Sequence, residues 1–149
     1  MYKRQGLNDR DHLKLLLADD DKPIANIYRT GLPEFFAEET RRGRMSASIT
    51  VCSQGDAALE LFRDAHDKGE PFSVIVLDVR MPPGISGVEA AEKIRNIDKE
   101  VPIIFISGYS DVAIPNLEER VPPASKMCYV EKPIQLSELA DLIVEMSTA

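Results

Sequence analysis

The chain has 149 residues, two cysteines and a formal net charge of −7, which fits one domain with a single hydrophobic core. This acidic balance excludes the broad basic surface of a protein that binds nucleic acid directly. No apolar run approaches the roughly 18 residues of a membrane span, and no apolar region follows the charged start as a secretory signal requires, so we expect a cytoplasmic protein without membrane insertion.

The first element after a short lead is a strand that ends on acids. Residues 1–11 are expected to form a loose N-terminal lead, and residues 12–149 the domain. Leu13–Ala18 is an apolar run of strand length, which predicts a strand buried on both faces. Three acids follow it at positions 19–21. Because like charges repel, we expect a cationic group beside them.

A helix and an edge strand come next. Asp21 predicts the N-cap of the helix, because a proline follows in the first turn. Apolar residues then recur with helical spacing from Ile24 to Phe36, and Pro33 predicts a kink. The charged residues 38–47 predict a loop, and the partly alternating residues 48–52 predict an edge strand.

The central part of the chain predicts a second helix and a buried strand. Ser53 and Asp56 resemble a capping box, and apolar spacing extends this helix to near Gly69. Residues 72–77 are almost continuously apolar and end on Asp78. A charge at the carboxyl end of a central strand lies where open α/β sheets bind ligands. The alternative is that Asp78 only opens a turn.

The second half of the chain repeats the alternation of helix and strand. Ser86 and Glu89 predict a capping box for a third helix. Prolines in residues 110–123 predict a short or irregular fourth helix. The remaining elements are predicted by apolar runs of suitable length and period: a buried strand at Val101–Ile106, a last strand at Met127–Val130 and an amphipathic helix at Leu136–Met146.

Five strands alternating with five helices predict an α/β fold, a doubly wound parallel sheet with right-handed crossovers and helices on both faces. In the strand order 2-1-3-4-5, Cys52 and Cys128 fall on opposite edges, so we expect no disulfide. The same order brings polar residues that follow four strands to one edge of the sheet. These residues are Asp19, Asp20, Asp78, Ser107 and Lys132.

Such a group of residues suits phosphoryl chemistry. Clustered carboxylates without a nearby histidine or cysteine favour a hard divalent cation, most naturally Mg²⁺. The metal and Lys132 together can neutralise a phosphoryl group, and Asp78 can then attack phosphorus as a nucleophile. The sequence therefore predicts a pocket that forms an aspartyl phosphate.

The motifs LLLADDD, VIVLDVRMPPGISGVE, FISG and YVEKP resemble those of the receiver domain of two-component response regulators, over about residues 12–147. The resemblance implies the flavodoxin-like receiver fold. It also implies a signalling switch that takes a phosphoryl group from a histidine kinase or a histidine phosphotransfer protein. The domain would act on a downstream protein target or an attached output domain, and would catalyse only its own phosphorylation and dephosphorylation.

The resemblance also assigns roles to the residues of the pocket. Asp78 is the phosphoacceptor, and Ser107 and Lys132 contact its phosphoryl group. The implied ligands of Mg²⁺ all offer an oxygen atom: Asp19, Asp20, Asp78 and the backbone carbonyl of Arg80.

Further residues are assigned to switching. Ser107 moves toward the phosphate and the half-buried Tyr129 turns inward behind it, which reshapes the face of the fourth helix, last strand and last helix. The peptide bond before Pro133 is expected to be cis. Arg80 and Tyr109 are expected to tune the lifetime of the phosphoryl group.

Several alternatives stay open from the sequence. The loop after Asp78 is one residue longer than the common receiver pattern because of Pro82-Pro83.

The chain ends soon after its last helix, which fits a stand-alone receiver or a module cut from a hybrid histidine kinase or larger regulator. A homodimer through the terminal helices is also left open. An aspartyl-nucleophile phosphatase is disfavoured because Arg80 stands where that class has a second acid. A flavodoxin-like cofactor binder is disfavoured by the acidic first loop.

Overall fold

The computed structural model describes residues 12–43, 45–108 and 116–148. Strands and helices alternate along these residues. The strands are β1 (His12–Ala18), β2 (Ser46–Cys52), β3 (Val74–Asp78), β4 (Ile103–Ser107) and β5 (Met127–Glu131). The helices are α1 (Lys22–Arg41), α2 (Gly55–Asp67), α3 (Gly87–Ile97), α4 (Leu117–Arg120) and α5 (Leu136–Ser147), and a short 3₁₀ turn, Ala124–Lys126, precedes β5. The predicted lead, residues 1–11, lies outside the described residues.

The five strands form one parallel sheet in the order β2-β1-β3-β4-β5, which confirms the predicted topology. Strand β3 is central, and its residues are all buried. Cys52 and Cys128 lie on the two edge strands and are unpaired, as this order predicts. No helix among the described residues is long and apolar enough to cross a membrane.

Alternate residues of the central strand contribute to two hydrophobic cores, one on each face of the sheet. Ile75 and Leu77 belong to a cluster with Phe62 of α2, whereas Val76 belongs to a cluster with Phe36 of α1. Complete burial of each of these side chains contributes about 1.5–3 kcal/mol. Because both faces of β3 are covered, its carboxyl end can reach solvent only at the edge where the strands stop.

Helix α1 is longer than the sequence indicated. Asp21 caps it as predicted, with its Oδ1 atom accepting a hydrogen bond from the Ile24 backbone at 3.2 Å. The helix continues through Pro33, whose side chain is exposed, as far as Arg41. The prediction of a loop at residues 38–47 was therefore wrong at its start, and also at its end, where β2 begins at Ser46. The charges that suggested a loop belong to the solvent-facing last turn, where Glu38 pairs with Arg41.

The two predicted capping boxes have different outcomes. Ser86 and Glu89 form both hydrogen bonds of a capping box at the start of α3, which confirms that prediction. The box predicted from Ser53 and Asp56 is wrong, because Gln54 is the N-cap of α2 and no side chain caps this helix. The Asp56 carboxylate instead accepts a hydrogen bond from a loop distant in sequence.

The fourth helix is short, as its prolines predicted. Only Leu117–Arg120 is helical in the described part of this segment, and residues 109–115 lie outside the described residues. Leu117 and Val121 anchor the segment in the core shared by α2 and α3. Arg120 binds Glu92 of α3 through two hydrogen bonds of 3.0 Å.

Candidate functional site

Three carboxylates meet at the carboxyl edge of the sheet. Strands β1 and β3 are neighbours, and Ala18 pairs with Leu77, so the residues that follow these two positions come side by side. Asp19, Asp20 and Asp78 each place a carboxylate oxygen within 4.8 Å of the other two. The structure thus brings together the acids that the sequence placed at two strand ends.

A single ammonium group lies against two of these acids. The Nζ atom of Lys132, just after β5, lies 3.3 Å from Asp19 Oδ2 and 3.6 Å from Asp78 Oδ2. The Lys132 backbone N–H donates to the Ser107 carbonyl at 2.7 Å. The peptide bond between Lys132 and Pro133 is cis. Lys132 is therefore the cationic group that the clustered acids were expected to require.

Burial shapes the charges of the pocket. Removal from water raises the pKa of Asp78, and repulsion by Asp19 adds to it, so that the pKa reaches about 7 against the attraction of Lys132. Burial also raises the pKa of Asp19, although a backbone hydrogen bond and Lys132 oppose the rise. For Lys132, burial lowers the pKa, but the two acids outweigh it and the net pKa is raised. The single positive charge of Lys132 does not neutralise the three carboxylates of the pocket.

The oxygen atoms of the pocket fit a divalent cation. Asp19 Oδ1 accepts a hydrogen bond from the Asp21 backbone at 2.9 Å. Asp19 Oδ2 is buried and has no hydrogen-bond partner among the described residues, and Lys132 contacts it as an ion-pair partner. Lys132 carries one positive charge beside three carboxylates, so a further cation bound to this oxygen would stabilise the pocket. A set of oxygen donors of this kind suits Mg²⁺ or Ca²⁺.

The other residues assigned from the sequence lie around this centre. Ser107 ends β4 and is buried, one position beyond the residue that pairs with Asp78. Arg80 is exposed in the loop that follows β3. Tyr129 lies on the edge strand β5 beside Phe105, and 36% of it is accessible, so it is partly buried. Tyr109 lies outside the described residues.

Sequence reasoning missed residues that contact the pocket or its loops from other elements. Tyr28 of α1 is buried, and its pKa is raised by burial and by the charges of the pocket acids. Gln54 and Asp56 bind the backbone of the loop between β3 and α3, residues 79–86, here called the β3–α3 loop. A tyrosine at an apolar helix position and two polar residues near a helix start give no local signal of such contacts.

Comparison with known proteins identifies the class to which this pocket belongs. The family model of the response regulator receiver domain matches residues 15–144, so the chain belongs to the response regulator receiver domain family. Members of this family are modules of two-component signalling rather than enzymes, and membership implies a histidine kinase as partner.

Individual relatives agree with this assignment. The response regulator receiver protein CpdR of Brucella abortus is 28% identical over 136 residues, which cover 91% of this chain and 98% of that protein. The hybrid signal transduction histidine kinase I of Dictyostelium discoideum is also 28% identical, over 87% of this chain but only 7% of that protein. The chain thus spans nearly all of one curated relative and a small part of another.

A solved structure shows the same fold. Response regulator protein TrrA of Thermotoga maritima, in complex with Mg²⁺-BeF, is 26% identical and superposes with a TM-score of 0.66. The match covers 90% of this chain and 98% of that one. The five-stranded receiver fold predicted from the strand order is therefore confirmed.

Proposed function

We propose that the protein is a phosphorylation-dependent switch of a two-component or phosphorelay system. Asp78 accepts a phosphoryl group from the phosphohistidine of a histidine kinase or a histidine phosphotransfer protein. The observation that carries this proposal is the position of Asp78 at the end of the central strand, where its carboxylate meets two further acids and lies 3.6 Å from Lys132.

The acids of the pocket would bind Mg²⁺. The proposed ligands are oxygen atoms of Asp19, Asp20 and Asp78 and the backbone carbonyl of Arg80. Two observations support this: the close approach of the three carboxylates and the presence of Mg²⁺ in the complex of the related TrrA. When bound, Mg²⁺ supplies positive charge beside the oxygen atoms of the transferred phosphoryl group.

The transfer step needs little covalent chemistry from the protein. An Asp78 carboxylate oxygen forms a bond to phosphorus while the bond from phosphorus to the donor's imidazole nitrogen breaks, and the electron pair of that bond returns to the imidazole. Lys132 and the Ser107 hydroxyl would stabilise charge on the phosphoryl oxygens, and the distance from Lys132 to Asp78 and the position of Ser107 on the adjacent strand support these roles.

The response would spread through β4 and β5. Ser107 contacts the phosphoryl group, and Tyr129, which is partly exposed on β5, turns inward behind it. Such a change alters the face formed by α4, β5 and α5, which would contact a downstream protein or an attached output domain. Arg80 and Tyr109 would set the lifetime of the phosphoryl group by controlling the access of water.

Labelling with radioactive acetyl phosphate tests the proposal. The wild-type protein is expected to gain one acid-stable, base-labile phosphoryl group in the presence of Mg²⁺ and none in the presence of EDTA. The Asp78→Asn variant should not be labelled, whereas Asp141→Asn, which removes an exposed acid of α5, should be labelled at the wild-type rate. Equal labelling of wild type and Asp78→Asn would refute the proposal.

The likeness to a hybrid histidine kinase supports a second arrangement of the same function. This receiver would then be one module of a longer chain and would take its phosphoryl group from a kinase domain of that chain. Mixing the domain with separate kinases and measuring transfer rates distinguishes the two arrangements, because an excised module is expected to be a poor substrate for kinases that act on stand-alone receivers.

A further inference from the structure

The β3–α3 loop is held by side chains that come from the start of α2. The side-chain amide of Gln54 donates a hydrogen bond through Nε2 to the Pro82 carbonyl at 3.2 Å. Its Oε1 atom accepts one from the Gly84 N–H, also at 3.2 Å. One side chain thus binds both a carbonyl and an N–H group of the loop, as the backbone of a neighbouring strand would.

A second side chain continues this contact. Asp56 Oδ2 accepts a hydrogen bond from the Ile85 N–H at 3.2 Å. Gln54 is the N-cap of α2, but its side chain makes no hydrogen bond to the helix. Both polar side chains are therefore directed at the loop, although each could have stabilised the helix to which it belongs.

The two segments approach so closely that a side chain at Gly84 would displace the side chains of Asp56 and Gln54. A Cβ atom there would collide with Asp56 Oδ2 and lie 2.9 Å from Gln54 Oε1. On the other side, a Cβ atom on Gly55 would lie 2.6 Å from the Ile85 carbonyl. At Gly55 the neighbouring atom is backbone, which cannot move without shifting the loop, whereas at Gly84 the neighbours are the two side chains that bind the loop.

Hydrogen bonds from outside matter for this loop because two of its residues have no backbone donor. Pro82 and Pro83 lack an N–H group. The Gly87 N–H closes the loop at its far end by donating to the Val79 carbonyl at 2.9 Å. Between these ends lies the main chain of Arg80, two residues after Asp78, the last residue of β3.

We propose that Gln54 and Asp56 are positioning residues of the phosphorylation site: by holding the β3–α3 loop they fix the main chain that follows Asp78, including the Arg80 carbonyl. This inference rests on the proposed function, in which that carbonyl is a ligand of Mg²⁺. Neither side chain touches the phosphoryl group. Their effect is transmitted by the loop, which otherwise samples positions in which the carbonyl is turned away from the acids.

Matched variants separate the hydrogen bonds from other effects of the two residues. Asp56→Ala removes the acceptor for the Ile85 N–H, whereas Asp56→Asn removes the charge but keeps an acceptor oxygen. Gln54→Ala removes both contacts, whereas Gln54→Glu keeps the acceptor and loses the donor to Pro82. Glu60→Ala is the control, because this exposed acid lies one turn further along α2 and has the same charge as Asp56.

The first readout is the affinity for Mg²⁺ measured by calorimetry on the unphosphorylated protein. Because a hydrogen bond contributes about 1 kcal/mol and 1.4 kcal/mol is tenfold in affinity, the dissociation constant should rise about 5-fold in Asp56→Ala, which loses one bond, and up to about 25-fold in Gln54→Ala, which loses two. It should stay within about 2-fold of wild type in Asp56→Asn and Glu60→Ala, and Gln54→Glu should be intermediate. The labelling rate at subsaturating Mg²⁺ should follow the same order.

The second readout is hydrogen exchange at the Gly84 and Ile85 amides. Exchange at Ile85 should accelerate in Asp56→Ala and return to the wild-type rate in Asp56→Asn. If exchange accelerates but the affinity for Mg²⁺ is unchanged, the loop is held without positioning the site, and the inference is wrong. Equal losses of affinity in Asp56→Asn and Glu60→Ala would also overturn it, since the effect would then be one of charge.

Failure of the proposed function gives a different result. If wild-type protein is not labelled on Asp78, the phosphoacceptor role is rejected. The positioning roles of Gln54 and Asp56 are still decided by the affinity for Mg²⁺ and by amide exchange, neither of which requires phosphorylation.

Discussion

Two segments leave the pocket, and they are held by contacts of different kinds. The β3–α3 loop has Val79 and Met81 in the core, and its residues 82–85 are bound through their backbone by hydrogen bonds with the side chains of Gln54 and Asp56. The segment at residues 116–126 is bound mainly through its own side chains, with Leu117 and Val121 in the core, although Arg95 also donates a hydrogen bond to its Lys126 carbonyl. The first kind of contact fixes where backbone carbonyls point, whereas the second fixes only where a segment lies.

This difference fits the separate tasks proposed for the two segments. A carbonyl that binds a metal must be held to a fraction of an ångström, which directed hydrogen bonds achieve. A surface that changes shape on phosphorylation needs contacts that can be exchanged one at a time at low cost. Apolar packing and an exposed ion pair satisfy that need, because neither demands one exact geometry.

The largest expected effect comes from removing the buried link between α3 and the start of β5. Arg95 is buried, and its guanidinium donates hydrogen bonds to the carbonyls of Val101 and Lys126. Arg95→Met should lower the free energy of unfolding by about 2–4 kcal/mol, because both carbonyls lose a charged donor. Urea denaturation measures this, with Lys93→Met, an exposed change on the same helix, as the control.

The Arg95→Met variant also tests whether the β3–α3 loop and the segment at residues 116–126 are held independently. If the segment at residues 116–126 is the adaptable one, amide exchange in Arg95→Met should accelerate there and stay unchanged in the β3–α3 loop. A uniform acceleration in both would show that the two segments are not held independently.

A smaller effect is expected from a substitution in the pocket, and there the free energy of unfolding should rise instead of fall. The folded state raises the pKa of Asp78 from its ordinary 3.8 to about 7, so the folded protein binds a proton that the unfolded protein has already lost. Metal-free wild type should therefore lose stability as the pH rises from about 4 to about 7. Asp78→Asn should remove part of this loss and raise the free energy of unfolding by about 1–3 kcal/mol at pH 8.

Urea denaturation across this pH range, with EDTA present, tests the prediction. Asp141→Asn serves as the control for loss of one exposed acid. Excess Mg²⁺ should stabilise wild type more than Asp78→Asn, because the variant lacks the negative charge of one proposed ligand. A destabilised Asp78→Asn at pH 8 without metal would contradict the charge excess inferred for the pocket.

The smallest expected effect concerns the ion pair between Arg120 and Glu92. Their two hydrogen bonds of 3.0 Å join α4 to α3, but both side chains are partly exposed. A double-mutant cycle with Arg120→Gln and Glu92→Gln should give a coupling energy of about 0.5 kcal/mol, which falls toward zero at high salt. The exposed pair of Lys68 and Asp64 within α2 provides a control cycle that should leave amide exchange near α4 unchanged.

Much of the fold could be predicted because it depends on local patterns. The apolar run before Asp78 has the length and composition of a strand covered on both faces, and the position of Ser86 three residues before Glu89 indicated the start of α3. The end of α1 was harder to predict, since the charged residues around Glu38 would look the same on a helix surface as in a loop.

By itself, the sequence determined the alternation of strands and helices, the family, and the acids, hydroxyl and lysine that the strands carry at their ends. A repeated apolar pattern and a strand end are properties of neighbouring residues, so they can be read along the chain. Only the tertiary structure decided that Asp56 binds Ile85 instead of capping its own helix. Two donors compete for one carboxylate, and the outcome depends on which of them the packing of α2 against the β3–α3 loop brings within 3.2 Å.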